Sequence, residues 1–255
     1  MTYEHVQVTR DGDHATITMD RPERRNALSM AHMLELQAAF REVGDSDALG
    51  IVLAGNGAVF CAGHDFADVH GADLEAVREL LWVCTDLMAI VQAVPQPVVA
   101  QVHGLATAAG CQLVATCDLA VASERAGFAA PGGKAGWFCH TPMVAIGRTV
   151  GRKQAMEMGL TGEGVDAPTA LAWGLVNRVV PDSELRSATL ELLDRATRGS
   201  RRSKALGKRA LHTQLAMGQA DAYRYAVEVM ASSSQTPDAQ EGIASFLEKR
   251  PPVWT

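Results

Sequence analysis

The chain has 255 residues, 47% hydrophobic and 20% charged, with a formal net charge of −6; that length can bury one sizeable core. A net-acidic chain lacks the positive face that a nucleic-acid backbone requires, and no apolar run reaches the ~20 residues that span a bilayer, so neither partner is expected. The five cysteines (61, 84, 111, 117, 139) show no CxxC pair, and the eight histidines show no HxH or HExxH spacing. Reduced thiols and no metal site are therefore expected. The opening residues Met1–His5 carry neither a basic segment nor an apolar signal core, which points to a cytosolic protein.

Val6–Thr9 and Ala15–Met19 alternate around Asp11-Gly12-Asp13 and read as a hairpin. Ser29 is placed to cap a helix whose apolar face is Met33, Leu36, Phe40 and Val43. A buried strand at 50–54 comes next, then the small-residue turn Phe60–Asp65. A helix over about 73–92 carries Val77, Leu80, Leu81, Cys84, Leu87, Met88 and Val91 on one face. Pro95 and Pro97 end it and feed a strand at 98–102. A second small-residue turn, Gly104–Gly110, opens a short helix, and a buried strand at 119–122 and a Gly-rich loop from Ala130 to Gly136 follow. Val176–Val180 reads as the last strand, and helices fill the chain beyond Pro181, one striped by Tyr223, Ala226, Val227 and Met230 and another capped at Thr236-Pro237. The division is an α/β core over residues 1–195 and a C-terminal helical region over 196–255.

The two small-residue turns carry the chemistry. A strand that breaks and restarts as a helix leaves main-chain N–H groups unpaired at the positive end of the helix dipole. Two such turns, each after a strand, can aim two N–H groups at one carbonyl oxygen. No GxGxxG turn opens an early βαβ unit, so a dinucleotide-dependent oxidoreductase is disfavoured.

Arg21-Pro22, Arg25-Asn26-Ala27-Leu28, Ala62-Gly63-His64-Asp65, Gly104–Leu113, Cys117–Ala122 and Ala172–Val176 fall in one order along the chain. In that order the chain resembles the crotonase (enoyl-CoA hydratase/isomerase) superfamily over nearly its whole length. The likeness is closest to the enoyl-CoA hydratase domain-containing branch, with its Pro-Val-Trp ending at Pro252-Val253-Trp254. The resemblance implies a ββα spiral core, a C-terminal helical trimerisation region, assembly as a homotrimer or dimer of trimers, and an acyl-CoA thioester as substrate with no separate cofactor. It places the two oxyanion donors on the N–H groups of His64 and Ala109, with Ala108 and Gly110 flanking the second. It brings Arg24, Arg25, Ala27, Ala62, Asp65, Pro131 and Gly132 to the CoA moiety.

The same resemblance implies two catalytic glutamates for hydration. Here Gln112 and Gly132 stand at those positions. An amide orients water but has no basic site near pH 7, so hydration is expected to be slow. Replacement groups come from His64, Asp65, Cys139 and His140, since a thiol beside an imidazole before a helix has a lowered pKa when exposed to that positive end. Asp65 suits a cap for a helix over 66–70. The basic run Arg201–Arg209 reads as a solvated helix face. A non-catalytic acyl-CoA-binding protein is the alternative reading.

Overall fold

The computed structural model describes residues 2–255. The chain begins with the hairpin β1 (Val6–Asp11) and β2 (His14–Met19), then α1 (Met30–Gly44). Three successive turns of a spiral follow: β3 (Gly50–Gly55), β4 (Val59–Cys61) and α2 (Leu74–Ala93); β5 (Val98–Val102), β6 (Leu105–Thr107) and α3 (Ala109–Thr116); and β7 (Leu119–Ser123), β8 (Gly127–Ala129) and α4 (Pro142–Thr149). Then come α5 (Arg152–Thr161), β9 (Val165–Asp166), α6 (Ala167–Trp173), β10 (Arg178–Val180) and α7 (Leu185–Thr197). Helices α8 (Arg201–Gln214), α9 (Gln219–Ser233) and α10 (Pro237–Glu248) close the chain.

Each turn of the spiral gives its first strand to a six-stranded sheet, ordered β1-β2-β3-β5-β7-β10, and its second to a four-stranded sheet, ordered β4-β6-β8-β9. Beyond the hairpin the large sheet is parallel. That geometry explains the unbroken apolar runs of β3 and β5, because a parallel strand is covered on both faces. Successive residues supply the two covers: Ile51 and Leu53 join the main core, whereas Val52 and Ala54 meet Leu185 and Leu193 of α7. This is the ββα spiral implied by the sequence.

Local signals hold where they were strong. Ser29 Oγ accepts the His32 N–H at 3.3 Å and starts α1, whose buried face includes Met33, Leu36, Phe40 and Val43. Asp73 caps α2 in the same way at 2.9 Å. The segment after Asp65 is a 3₁₀ turn, Phe66–Asp68, rather than a helix to residue 70. The last strand is shorter than expected, since Val176 is buried in the core ahead of β10. The stripe on α9 is open to solvent in the single chain, with Tyr223, Val227 and Met230 all exposed.

The run Arg201–Arg209 is not uniformly solvated. Lys208 turns inward, its Nζ donating to the carbonyls of Val91 (3.0 Å) and Gln96 (2.9 Å) and pairing with Asp118 at 2.7 Å. Asp118 also accepts the Val98 N–H at 2.8 Å, so one carboxylate ties α8 to the start of β5. Removing one partner of a buried pair leaves its counter-charge uncompensated, typically at a cost of about 3–5 kcal/mol. Lys208→Met is therefore expected to lower the thermal unfolding midpoint by several degrees in calorimetry. An unchanged midpoint would show that Lys208 contributes nothing to attaching the last three helices.

Candidate active site

The first turn is fixed by a short stretch of parallel pairing. Leu28 N–H donates to the Gly63 carbonyl at 2.7 Å, and Asp65 N–H donates to the Leu28 carbonyl at 3.1 Å. Main-chain groups alternate in direction along an extended segment, so the N–H of His64 points away from Leu28. Ala62 N–H is used differently, donating to the Arg25 carbonyl at 3.1 Å. In the second turn Ala108 has φ 51° and ψ −118°, a sparsely populated conformation for a residue with a side chain, held by its N–H on the Ala129 carbonyl at 2.8 Å. Ala109 then begins α3, where its N–H has no partner four residues back. Among the described residues, neither the His64 nor the Ala109 N–H donates to a main-chain acceptor of the protein.

The two turns touch. A Cβ on Gly63, which has φ +87°, would lie 2.9 Å from Ala108 Cβ and 3.2 Å from Ala109 N. Only glycine permits both the left-handed backbone and that approach. Gly110 packs in turn against the carbonyl of Cys61. The spiral thus brings residues 62–64 and 107–110 into one place, because β4 and β6 are parallel neighbours in the small sheet.

A cavity of about 420 Å³ opens beside them. Its wall includes Ala62, His64, Thr107 and Ala108 from the turns, and Pro131, Gly132, Cys139 and His140 from the loop expected to supply site groups. No carboxylate lines it among the described residues. Burial pushes the His64 imidazole below its ordinary pKa, with the Leu28 carbonyl and Asp68 opposing, so the ring is neutral at pH 7. Neither ring nitrogen has a hydrogen-bond partner, and the ring leans on Trp137 with centroids 6.4 Å apart. Gln112, one helical turn beyond Ala109, lies behind the wall with its Oε1 buried and unpartnered; the Thr107 hydroxyl is likewise unpartnered.

Cys139 departs from its sequence-based reading. Burial pushes its thiol pKa up rather than down, and its Sγ accepts the Gly132 N–H at 3.3 Å. His140 is exposed and its ring packs edge-on against Phe138, centroids 5.1 Å apart. Among the described residues no thiol–imidazole pair forms, because the buried Cys139 Sγ is taken by the Gly132 N–H while the exposed His140 ring packs on Phe138. The other four cysteines are buried and free, their thiols all pushed up by burial.

Arg24, Arg25, Ala27 and Asp65 gather on the far side of the first turn. Asp65 caps Phe66–Asp68 through the Ala67 N–H at 3.1 Å and pairs with Arg21 (3.1 Å) and Arg24 (3.0 Å). Burial alone would raise its pKa, but these bonds hold it below the usual carboxylate range. The carbonyl of Ala27 already accepts the Ser29 N–H at 3.1 Å and Arg21 at 3.2 Å and faces the His32 ring at 3.1 Å, so its acceptor positions are used within the chain. Arg21 was not among the candidates, nor were Phe66, Thr107, Lys134, Trp137 and Phe138 on the wall. Only the exposure of Phe66 and Trp137 marks them out, and the sequence does not carry that signal.

Residues 11–255 match the family described as enoyl-CoA hydratase/isomerase. The chain is 44% identical over 243 residues to the mitochondrial enoyl-CoA hydratase domain-containing protein 3 of Xenopus laevis, covering 94% of this chain and 82% of that one. The human protein of that name is 42% identical over 243 residues, covering 94% and 80%. Those names give no support to the cytosolic expectation. Among solved structures, an enoyl-CoA hydratase of Mycobacterium smegmatis superposes with a TM-score of 0.95 at 42% identity, covering 98% of this chain and 99% of that one. The human domain-containing protein 3 superposes with a TM-score of 0.94 at 39% identity, covering 98% and 100%.

Gly132 is enclosed by its own loop. Its carbonyl accepts the N–H groups of Ala135 (3.0 Å) and Trp137 (2.9 Å), and a Cβ there would collide with the Trp137 carbonyl and lie 2.8 Å from Cys139 Sγ. Any side chain must therefore displace the backbone of this loop. Gly132→Glu is expected to destabilise the protein by at least the 1–3 kcal/mol of an overpacked core site, read as a lowered midpoint in chemical denaturation. A glutamate tolerated there at parental stability would contradict the enclosure.

Proposed function

Since this chain belongs to the enoyl-CoA hydratase/isomerase family, we propose that it binds an acyl-CoA thioester with the carbonyl oxygen on the N–H groups of His64 and Ala109. The observation that supports this most directly is the contact of the two turns, which leaves both N–H groups without main-chain acceptors beside one cavity. Donors fixed in place before reaction stabilise the negative charge that grows on the oxygen when the α-carbon loses a proton, at about 3–4 kcal/mol for a good donor.

The wall determines which reactions are accessible. With no carboxylate to activate water, addition to a 2-enoyl thioester lacks its general base. Cys139 is capped by the Gly132 N–H and His140 sits on Phe138. The base we assign is the His64 imidazole, neutral and with both nitrogens turned from water, so rotation of the ring toward the α-carbon is part of the assignment. It takes the α-proton, the C–H electron pair moves into the enolate with its charge on the thioester oxygen, and the proton returns to carbon. Enolate chemistry that needs only this cycle, such as isomerisation or exchange, is favoured over hydration.

The absence of a carboxylate also suits the second reading, a non-catalytic acyl-CoA-binding protein. Incubation of butyryl-CoA in D₂O, followed by mass spectrometry, separates the two. The enzyme incorporates deuterium at the α-carbon, whereas a binding protein does not. The base must be unprotonated, and a lowered pKa keeps it so to lower pH. The exchange rate is therefore expected to stay level from pH 8 down through 6.5 and to fall only below that. Ala109→Pro deletes one N–H at a position where a helix accepts proline and is expected to slow exchange about 10²–10³-fold. His64→Ala is expected to slow it about 10²–10⁴-fold while butyryl-CoA still binds. Exchange at parental rates in both variants would overturn the assignment.

A further inference from the structure

The cavity presents an unexpectedly quiet wall. Lys134 on its rim is turned to Glu163, 3.8 Å away, and the nitrogens of His64 and the hydroxyl of Thr107 are shielded from water. What the cavity offers a ligand is carbon: Phe66, Leu81, Trp137, Phe138 and Pro142 face it along one side.

Two of these residues do not behave as core residues. Phe66 is 62% exposed and Trp137 is 37% exposed, yet their rings lie 6.3 Å apart at an interplanar angle of 57° across the cavity mouth. They come from different loops, the 3₁₀ turn after Asp65 and the Gly-rich loop after Pro131, so no local periodicity pairs them. Large apolar groups exposed together beside a cavity mark a ligand groove.

The two sides of the first turn differ in charge. The segment paired with Gly63–Asp65 carries Arg24 and Arg25, both exposed, and suits the anionic CoA end. The apolar residues line the cavity and the two arginines do not. A thioester held at His64 and Ala109 with its phosphates toward the arginines therefore sends its acyl chain toward Phe66, Leu81 and Trp137.

From this division we infer that the substrate carries an unbranched hydrocarbon acyl chain long enough to leave the cavity and lie against the Phe66–Trp137 pair, so that these two residues set a preference for medium-length over short chains. The inference rests on the carbonyl position proposed above. Each methylene moved from water onto this rim strengthens binding, up to about fourfold when fully buried.

Dissociation constants of free CoA and of butyryl-, hexanoyl-, octanoyl- and decanoyl-CoA, measured by equilibrium dialysis, test it. For the parent protein, affinity is expected to rise at least twofold per methylene between hexanoyl and decanoyl. In the double variant Phe66→Ala/Trp137→Ala, both positions being exposed enough to spare the fold, that rise is expected to flatten while free CoA and butyryl-CoA bind within twofold of the parent. A parent affinity that is flat or falls with length overturns the inference, as does a variant that keeps the rise. A variant that loses affinity equally for free CoA and decanoyl-CoA assigns the aromatic pair to the CoA arm and also overturns it. S-butyl-CoA, a thioether with no carbonyl, tests the underlying reading separately. If it binds as tightly as butyryl-CoA, the carbonyl position fails whatever the chain-length series gives.

Discussion

The site depends on one close approach, the backbone of Gly63 against Ala108 and Ala109. Without it the two turns are unrelated loops at the ends of two short strands. The contact needs a residue with no Cβ in a left-handed conformation on one side and a strained alanine on the other, held by the Ala129 carbonyl. Strain of this kind persists only where the surroundings over-determine it. Here they do: β4, β6 and β8 pair side by side, Leu28 clasps the first turn, and α3 packs Gly110 against Cys61.

The consequence is division of labour between backbone and side chains. Charge stabilisation is assigned to main-chain N–H groups, which the fold sets in place and which no substitution other than proline removes directly. Side chains decide what happens to the polarised thioester. On this wall they include a neutral imidazole, a capped thiol and an apolar rim, with no carboxylate among the described residues. The loop around Gly132 leaves no volume for a side chain, because a Cβ there would meet the Trp137 carbonyl and Cys139 Sγ. The chemistry we propose for such a wall is that of an enolate beside hydrocarbon.

The parts of this arrangement legible in the sequence were those with a local signature. Strands 50–54 and 98–102 stand out as apolar runs, and Ser29 marks a helix start by its capping side chain. The two small-residue turns were visible as breaks between a strand and a helix. Strands β4, β6, β8 and β9 were not, since two or three residues are too few to show a period of two. Long-range pairs were equally invisible. Nothing local says that Lys208 turns inward to Asp118, that Cys139 Sγ meets the Gly132 N–H, or that Phe66 faces Trp137. Each is set by how distant segments meet, and the thiol–imidazole expectation failed for that reason.

The central claim concerns a single oxygen atom, and vibrational spectroscopy reports on it directly. Butyryl-CoA labelled with ¹³C at the thioester carbonyl would be bound to the protein and its carbonyl stretch isolated by infrared difference against the unlabelled ligand. Two fixed N–H donors weaken the C=O bond and must shift the stretch to lower frequency than in water. The Ala109→Pro variant should recover part of that shift. A bound carbonyl at or above its aqueous frequency would mean that the oxygen does not lie on the His64 and Ala109 amides.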